Sequence, residues 1–316
     1  MLKGAFEGDA LWKKIVFTVV ISLVFTTLGY FLWYVAAYIY YRPTDMAAMT
    51  ALIAGADIAL LKSLQFVQSI CLFVLPSFAL ACLWSSKPIG YLGLNRKFSL
   101  ESLLFAIAAM LFVLPFINLL AEINSGIKLP DFLSGIELWM KEMEQNAEDL
   151  TKRMLQADTF SIFLFNVLLM AVLPGVGEEL FFRGIIQKIM TEKCGQHKAV
   201  WITAIIFSAI HFQFYGFFPR LVLGLLLGYM YVWSGSLWLP IIAHFTHNFL
   251  AVTAFYLMSR QITDIDMDAV GTISADSWML GVVSLGLFIA MVALLYRSIQ
   301  KNANDAKNTN ILKNDY

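Results

Sequence analysis

Long apolar segments separated by short polar segments dominate this chain. The first runs from 15 to 41 without a charged residue and is too long for the apolar region of a signal peptide. A helix needs about 20 apolar residues to cross a bilayer. We therefore predict an all-α, polytopic membrane bundle of about eight transmembrane helices. The predicted spans cover residues 15–41, 64–84, 103–121, 159–188, 199–212, 221–233, 240–258 and 278–296.

Two segments depart from this pattern. In 122–158, charged and apolar side chains alternate with helical spacing, which predicts an amphipathic helix outside the membrane core. A connecting helix is the simpler interpretation of this segment, and a lid or a guide for substrate is the alternative. The last segment, 300–316, is polar, and we expect a poorly ordered tail there.

The composition agrees with a membrane protein. Of 316 residues, 59% are hydrophobic and 14% are charged, against roughly 25% charged residues in soluble domains. We expect one membrane domain over 1–316, with a motif-bearing core at 159–258. The formal net charge is zero, so nothing indicates a nucleic-acid partner. Three cysteines lack metal-ligand spacing and are interpreted as packing residues: Cys71, Cys82 and Cys194.

Basic residues predict the orientation, because lysine and arginine concentrate in cytoplasmic loops. With eight spans and a cytoplasmic N-terminus, the basic loops fall on the cytoplasmic side. Their basic residues are Lys87, Arg96, Lys97, Lys188, Lys193, Lys198, Arg297 and Lys301. The prediction is a multi-pass protein of the cell membrane with both termini in the cytoplasm. The sequence has no internal repeat or inverted symmetry of the transporter kind.

Two adjacent carboxylates and an arginine lie inside the predicted span 159–188. Ionisable side chains at membrane depth are costly, so their default interpretation is functional. Glu179 and Arg183 are one helical turn apart, which predicts an ion pair with a supporting role. Glu178 is rotated by about 100° from Glu179 and has no local cation. It is therefore free to act as a general base.

Three of the four histidines lie in or at the end of predicted spans. His211 ends one span, while His244 and Asn248 are four residues apart and can face one ligand. His247 is predicted to support or pack against this group. The remaining histidine, His197, lies in a charged turn and is expected to be solvated.

The helical rise gives the depth of these side chains. Counted from the predicted cytoplasmic boundary, Glu178 and His211 lie about 22 and 20 Å deep, at similar levels. His244 follows Pro240 by only four residues and would lie shallower. Either a buried turn at 234–239 or tilted helices would remove this difference, and the short span before the turn favours the buried turn.

The candidate residues can support two kinds of hydrolysis. In one, a carboxylate and a histidine activate water, while another histidine and an asparagine amide stabilise the oxyanion. In the other, Glu178, His211 and His244 bind Zn²⁺ and leave one position open. The His-Glu-x-x-His motif of zinc proteases is missing. Since Asn248 suits an amide donor better than a metal ligand, we expect no required cofactor, with zinc as the alternative.

Three motifs in order resemble those of the CPBP family, the CAAX-protease and bacteriocin-processing (Abi) intramembrane endopeptidases. They are Glu178-Glu179-x-x-x-Arg183, Phe207-x-x-x-His211 and His244-x-x-x-Asn248, and the resemblance covers about residues 165–255. It implies an eight-helix bundle with a cavity open toward the cytosol. It also implies that Glu178 and His211 activate water and that His244 and Asn248 form the oxyanion site.

The resemblance implies an intramembrane endopeptidase that hydrolyses a membrane-associated peptide or protein within the lipid bilayer. Its mechanism is either glutamate-dependent or metal-dependent, and we favour the former. One alternative is a non-enzymatic bacteriocin-immunity or scaffold protein that keeps the motifs as a binding site. Another is a transporter with an intramembrane proton relay, against which the missing repeat counts.

Overall fold

The computed structural model describes residues 3–54 and 57–314, and within these ranges the chain is helical without a strand. The helices are labelled in chain order. They are α1 (Leu11–Tyr41), α2 (Met46–Ala54), α3 (Ile58–Trp84), α4 (Pro88–Leu92), α5 (Leu100–Phe112), α6 (Leu114–Ser125), α7 (Ser134–Leu155), α8 (Phe160–Cys194), α9 (Gln196–Ala209), α10 (Phe217–Ser234), α11 (Trp238–Ser259) and α12 (Trp278–Asn314).

The predicted polytopic helical bundle is confirmed, but the number of spans differs. Among the described residues, six helices are long and apolar enough to cross a membrane: α1, α3, α8, α10, α11 and α12. The pair α5 and α6, bent by 40° next to Pro115, brings the number to seven. The remaining predicted span, 199–212, corresponds to α9, whose 14 residues extend only about 21 Å. It is too short to cross a bilayer by itself.

Contacts between loops define two ends of the bundle. At the end that we call the basic end, formed by residues 85–99, 193–198 and 234–238, Lys14 pairs with Glu192 at 2.6 Å. There Ser298 Oγ also donates to Glu101 Oε2 at 3.0 Å. The start of α1 and residue 298 of α12 therefore lie at the same end, as the prediction for the two termini requires. Which side of the membrane this end faces stays a prediction.

The centre of the turn at 234–238, Ser236 and Leu237, is buried at the basic end, as expected from the short span before it. Ser236 is fully buried, and its hydroxyl donates to the Arg96 carbonyl at 2.9 Å. The Leu237 N–H donates to the Gly93 carbonyl at 3.2 Å. The turn therefore lies below the 93–96 loop, and α11 starts inside the protein. This start brings His244 closer to the level of the other candidate residues.

Helices α3 and α8 each contain π-helical turns. Two of these turns, Ser69–Val74 and Leu168–Val172, come shortly before Pro76 and Pro174. Proline lacks the N–H that an α-helix needs and clashes with the preceding turn, so a widened turn at this place accommodates it. A third π-helical turn, Phe182–Gln187, directly follows the glutamate pair. Turns of this kind are frequent at functional sites.

The amphipathic helix predicted within 122–158 is present as α7. It packs on the aromatic loop between α9 and α10, where the Tyr215 N–H donates to Glu144 Oε2 at 3.2 Å. The rings of Trp139 and Phe214 lie 5.3 Å apart in the same contact. The helix therefore covers the loop that joins His211 to α10. Its role as a connector or a lid stays a prediction.

The polar tail predicted at 300–316 is helical as far as residue 314, and its poor order stays a prediction. Helix α12 continues without a break through Asn314. Where α12 enters the polar segment, Asn302 holds it in place. The Asn302 side chain donates to Ser99 Oγ at 2.7 Å and to the Ser298 carbonyl at 2.8 Å. Polar residues other than glycine and proline extend an existing helix at low cost, which hydropathy alone does not reveal.

Candidate functional site

A cavity of about 220 Å³ lies inside the bundle between α5, α8, α9, α10 and α11. All four residues predicted to be catalytic line it. The lining residues are Met110, Pro174, Glu178, Phe207, His211, Arg220, Leu223, Leu227, His244, His247 and Asn248. Side chains from segments 70 residues apart in the chain thus share one small space, which combines apolar walls with ionisable groups.

Small residues allow the helices around this cavity to approach closely. At Gly175 of α8, a Cβ would lie 3.1 Å from the backbone nitrogen of Phe245 in α11. At Gly224 of α10, it would lie 3.1 Å from the Cβ of Ala204 in α9. Close backbone approach of this kind is typical of packed membrane helices. It holds α8 close to α11 and α9 close to α10, around the cavity.

Glu179 is fully buried, and one of its oxygens has two partners. Arg183 Nη1 lies 2.6 Å from Oε1, which confirms the predicted ion pair. His244 Nδ1 lies 2.8 Å from the same oxygen. Since a carboxylate only accepts, we infer that His244 donates through Nδ1–H, which leaves Nε2 directed at other groups. This second contact could not be predicted from local spacing, because 65 positions separate the two residues.

Arg183 connects three helices although it carries a charge in the core. Its guanidinium is fully buried and donates through Nη2 to the Gly224 carbonyl at 3.0 Å. It also lies over the Phe207 ring, 4.9 Å from the centroid. Burying an unpaired charge is strongly unfavourable, whereas a paired and hydrogen-bonded one is tolerated. The Glu179–Arg183 pair therefore requires α8, α9 and α10 to stay together.

Glu178 projects into the cavity, on a different side of α8 from Glu179. Its Oε2 lies 3.9 Å from His244 Nε2, and its side chain is 15% exposed. This distance is too long for a direct hydrogen bond. Both groups are thus available to a third molecule in the cavity. The two glutamates therefore have different surroundings, as their angular separation on the helix predicted.

His211 lies in the turn that ends α9. Its Nδ1 is 2.7 Å from the Phe207 carbonyl oxygen, an acceptor, so we infer that Nδ1 carries the proton. The other ring nitrogen, Nε2, is then an acceptor. The ring is also held at its edge by Phe207, at 5.2 Å between centroids. The structure thus presents His211 to the cavity in a form that can accept a proton.

Asn248 and His247 follow His244 on α11 and line the same cavity. His247 Nδ1 is buried without a hydrogen-bond partner among the described residues. His247 thus lines the cavity itself, in addition to the packing role predicted for it. His197, in contrast, is exposed at the basic end and contacts the Tyr229 hydroxyl at 3.1 Å, as expected for a solvated histidine.

Arg220 is a charged lining residue that was not predicted from the sequence. It lies in the first turn of α10, and its Nη1 donates to the Gln213 carbonyl at 3.1 Å. Its Nη2 donates to the Gln213 side-chain oxygen. The available signal was an arginine directly before an apolar span and nine positions after His211.

The alternative zinc site has no preformed geometry in the described part of the chain. No three histidine, cysteine, aspartate or glutamate side chains there are arranged to hold a metal ion. Within this geometry His244 and His211 each use Nδ1 for a protein hydrogen bond. The expectation that no metal is required stays a prediction.

Residues 160–250 match the family described as type II CAAX prenyl endopeptidase Rce1-like. Among curated proteins, the uncharacterized protein YpbD of Bacillus subtilis (strain 168) is 32% identical over 84 residues. This match covers 25% of the chain and 40% of YpbD, so the chain spans less than half of that relative. No solved structure matches significantly. The resemblance to the CPBP family, predicted from three motifs, is thus confirmed over residues 160–250.

Proposed function

We propose that this chain is an intramembrane endopeptidase that hydrolyses a peptide bond of a membrane-associated peptide or protein. One observation carries the proposal. A single small cavity brings together a carboxylate, Glu178, two histidines, His211 and His244, and the amide of Asn248. These are the groups needed to activate water and to stabilise an oxyanion. The match of residues 160–250 to a family of prenyl endopeptidases supports the same reaction class.

Water activation is assigned to Glu178 and His211. Glu178 accepts a proton from water while the water oxygen attacks the peptide carbonyl carbon. His211 assists through Nε2, because its Nδ1–H is held by the Phe207 carbonyl. When the tetrahedral intermediate collapses, the C–N bond breaks and the proton passes to the leaving amine. The products are one new carboxylate and one new amine.

Oxyanion stabilisation is assigned to His244 and Asn248. The Asn248 side chain donates an amide N–H, and His244 donates from Nε2 in its imidazolium form. Glu179 Oε1, 2.8 Å from Nδ1, accepts from the ring and holds it in place. Glu179 is therefore a positioning residue in this proposal, and Arg183 in turn holds Glu179.

The first test compares purified wild type with Glu178→Gln in detergent, using a pool of synthetic peptides and mass spectrometry. The glutamine variant keeps the size of the side chain but accepts no proton. Cleavage should fall by at least about 10²–10⁴-fold. Glu142→Gln, which removes an exposed carboxylate from α7, is the matched control and should retain activity. Equal cleavage by wild type and Glu178→Gln would contradict the proposal.

Substrate identity is a second question, which the same variant can address. Membrane peptides are compared between cells that express wild type and cells that express Glu178→Gln. A protein that accumulates uncut only in the variant is a candidate substrate. If Glu178→Gln instead supports the full cellular phenotype, the non-enzymatic immunity or scaffold function explains that phenotype.

Metal dependence is tested on the same preparation. We expect cleavage to persist after chelation and metal analysis to find no stoichiometric zinc. One bound zinc that is lost in His211→Ala, together with chelator-sensitive cleavage, would favour the metal-dependent version of the protease instead.

A further inference from the structure

Arg220 is a cation in the cavity without a close carboxylate partner. Within the described part of the chain, no carboxylate oxygen lies within 4.0 Å of its guanidinium. The carboxylates of Glu144 and Glu178 interact with the Arg220 charge only through longer-range electrostatics. This differs from Arg183, whose charge is matched by a direct ion pair. A partly buried cation in a cavity gains from an anionic partner, so Arg220 has capacity for one.

The guanidinium is held in a fixed orientation. Gln213 accepts from both terminal nitrogens, one through its backbone carbonyl and the other through its side chain. Gly216 allows this arrangement, because a Cβ there would lie 2.5 Å from Arg220 Nη1. These contacts use two of the five N–H donors of an arginine. The remaining donors are preorganised, so little side-chain entropy is lost when a ligand binds them.

The chemistry of this group points to a carboxylate ligand. A planar guanidinium matches a carboxylate through two parallel hydrogen bonds, which are among the stronger ones in proteins. The cavity, at about 220 Å³, is large enough for several water molecules or a small ligand group. A ligand carboxylate on Arg220 would therefore lie close to Glu178 and His211 in the same space.

We propose that Arg220 binds a carboxylate of the substrate and makes the site selective for an acidic group close to the cleaved bond. This inference rests on the proposed endopeptidase function and names a specificity residue for it. The carboxylate is either the free C-terminus of the substrate or the side chain of an aspartate or glutamate. Both sources present the same chemistry to Arg220, and the experiments below separate them.

The first experiment measures binding and does not depend on cleavage. The full chain in detergent is treated with phenylglyoxal, and modification of Arg220 is followed by peptide mass mapping. Three capped dipeptides serve as probes: one with a free C-terminus, one with a glutamate side chain and an amidated C-terminus, and one with neither carboxylate. At least one acidic probe should slow modification of Arg220 several-fold relative to the neutral probe. Equal protection by all three would overturn the proposal.

The second experiment measures specificity. A peptide that wild type cleaves is synthesised with its terminal carboxylate amidated or with its acidic side chain replaced by the amide. A charge-assisted hydrogen bond should make kcat/KM about 10–100-fold higher for the form that keeps the recognised carboxylate. Arg220→Gln should reduce this ratio to about one, whereas Arg260→Gln, an exposed arginine, should leave it unchanged.

The outcomes separate this proposal from the proposed function. If wild type cleaves no peptide while an acidic probe still protects Arg220, carboxylate binding stands and the endopeptidase function fails. If Arg220→Gln lowers kcat/KM equally for acidic and amidated peptides, Arg220 acts only on the charge of Glu178 and the specificity role is wrong. The modification experiment uses wild type, so it remains decisive if Arg220→Gln does not fold.

Discussion

His244 Nδ1 lies 2.8 Å from Glu179 Oε1, the same oxygen that Arg183 approaches to 2.6 Å. A histidine of α11 is thus held by a glutamate of α8 that does not itself line the cavity. The neighbouring glutamate, Glu178, does line it. The adjacent carboxylates therefore have distinct roles, one in positioning and one in contact with the cavity.

Removing the charge of Glu179 should destabilise the protein as well as inactivate it. Glu179→Gln leaves the buried guanidinium of Arg183 without its ion pair, which should cost about 3–5 kcal/mol. Thermal unfolding in detergent should show a clearly lower midpoint, measured against Glu142→Gln. The double variant Glu179→Leu with Arg183→Met should recover stability but not cleavage, because His244 still lacks its partner. An unfolding midpoint equal to that of wild type in Glu179→Gln would contradict this account.

The substitution Gly224→Val should push α9 and α10 apart. A Cβ added at this position would lie 3.1 Å from Ala204 Cβ, and the further methyl groups of valine would push the helices apart. We expect a loss of about 1–3 kcal/mol in stability and slower cleavage, because α9 leads directly to His211. Gly286→Val on α12 is the matched control, since no atom lies within 4 Å of a Cβ there. Similar effects of the two variants would count against tight α9–α10 packing.

A buried lysine joins α3 to α8 and should depend on its amide partner. Lys62 Nζ donates to Asn166 Oδ1 at 2.7 Å, and Asn166 Nδ2 donates to the Leu155 carbonyl at the end of α7. Asn166→Leu should lower stability by about 2 kcal/mol, because it leaves a buried donor and a carbonyl unsatisfied. Adding Lys62→Met should restore much of this loss, as measured by thermal unfolding. The exposed Lys87→Met is the control, and no recovery in the double variant would disprove the coupling.

The orientation of the bundle can be tested by cysteine labelling. In a background without Cys71, Cys82 and Cys194, a single cysteine replaces Lys193 at the basic end or Asp264 at the opposite end. With intact cells and an impermeant maleimide, we expect Asp264→Cys to react at once. Lys193→Cys should react only after permeabilisation. The reverse result would place the basic end outside the cell.

The hydrogen bonds of Glu137 should make the stability of α7 depend on pH. Lys141 donates to it at 2.6 Å and the Leu129 N–H at 3.0 Å, and together they hold the pKa of Glu137 below its usual range. A lowered folded-state pKa stabilises the protein above the ordinary glutamate pKa, and this contribution is lost as the pH falls through the lowered value. Glu137→Gln should therefore lower the unfolding midpoint slightly at pH 7. The difference should shrink as the pH falls below about 4 and disappear below the lowered pKa of Glu137.

The same measurement with Glu142→Gln should show no comparable dependence on pH. A pH-independent effect of Glu137→Gln would mean that the ionised carboxylate is not what holds the start of α7.

Positions of most helices could be predicted from the sequence, because apolar runs report directly on burial in a membrane. The ion pair between Glu179 and Arg183 was also predictable, since helical spacing fixes which side chains of one helix meet. The same rule separated Glu178 from Glu179. These features depend only on residues that are near one another in the chain.

Features that depend on distant residues could not be predicted in this way. The contact of His244 with Glu179 joins two helices whose relative rotation the sequence does not encode locally. Arg220 was missed because its role depends on a cavity formed by five helices. The short α9 and the bend between α5 and α6 reduced the count of spans, since hydropathy measures composition and not whether a helix is straight or complete.

The small volume of the cavity has a consequence for what the proposed enzyme can cut. An intact turn of α-helix, with a diameter of about 10–12 Å including its side chains, is bulky beside a cavity of about 220 Å³ that lies between five helices. A substrate that crosses the membrane as a helix must therefore unwind locally before its backbone reaches Glu178. Selection would then fall on segments whose helices are weakened by glycine or proline, and regular apolar helices in the same membrane would be left intact.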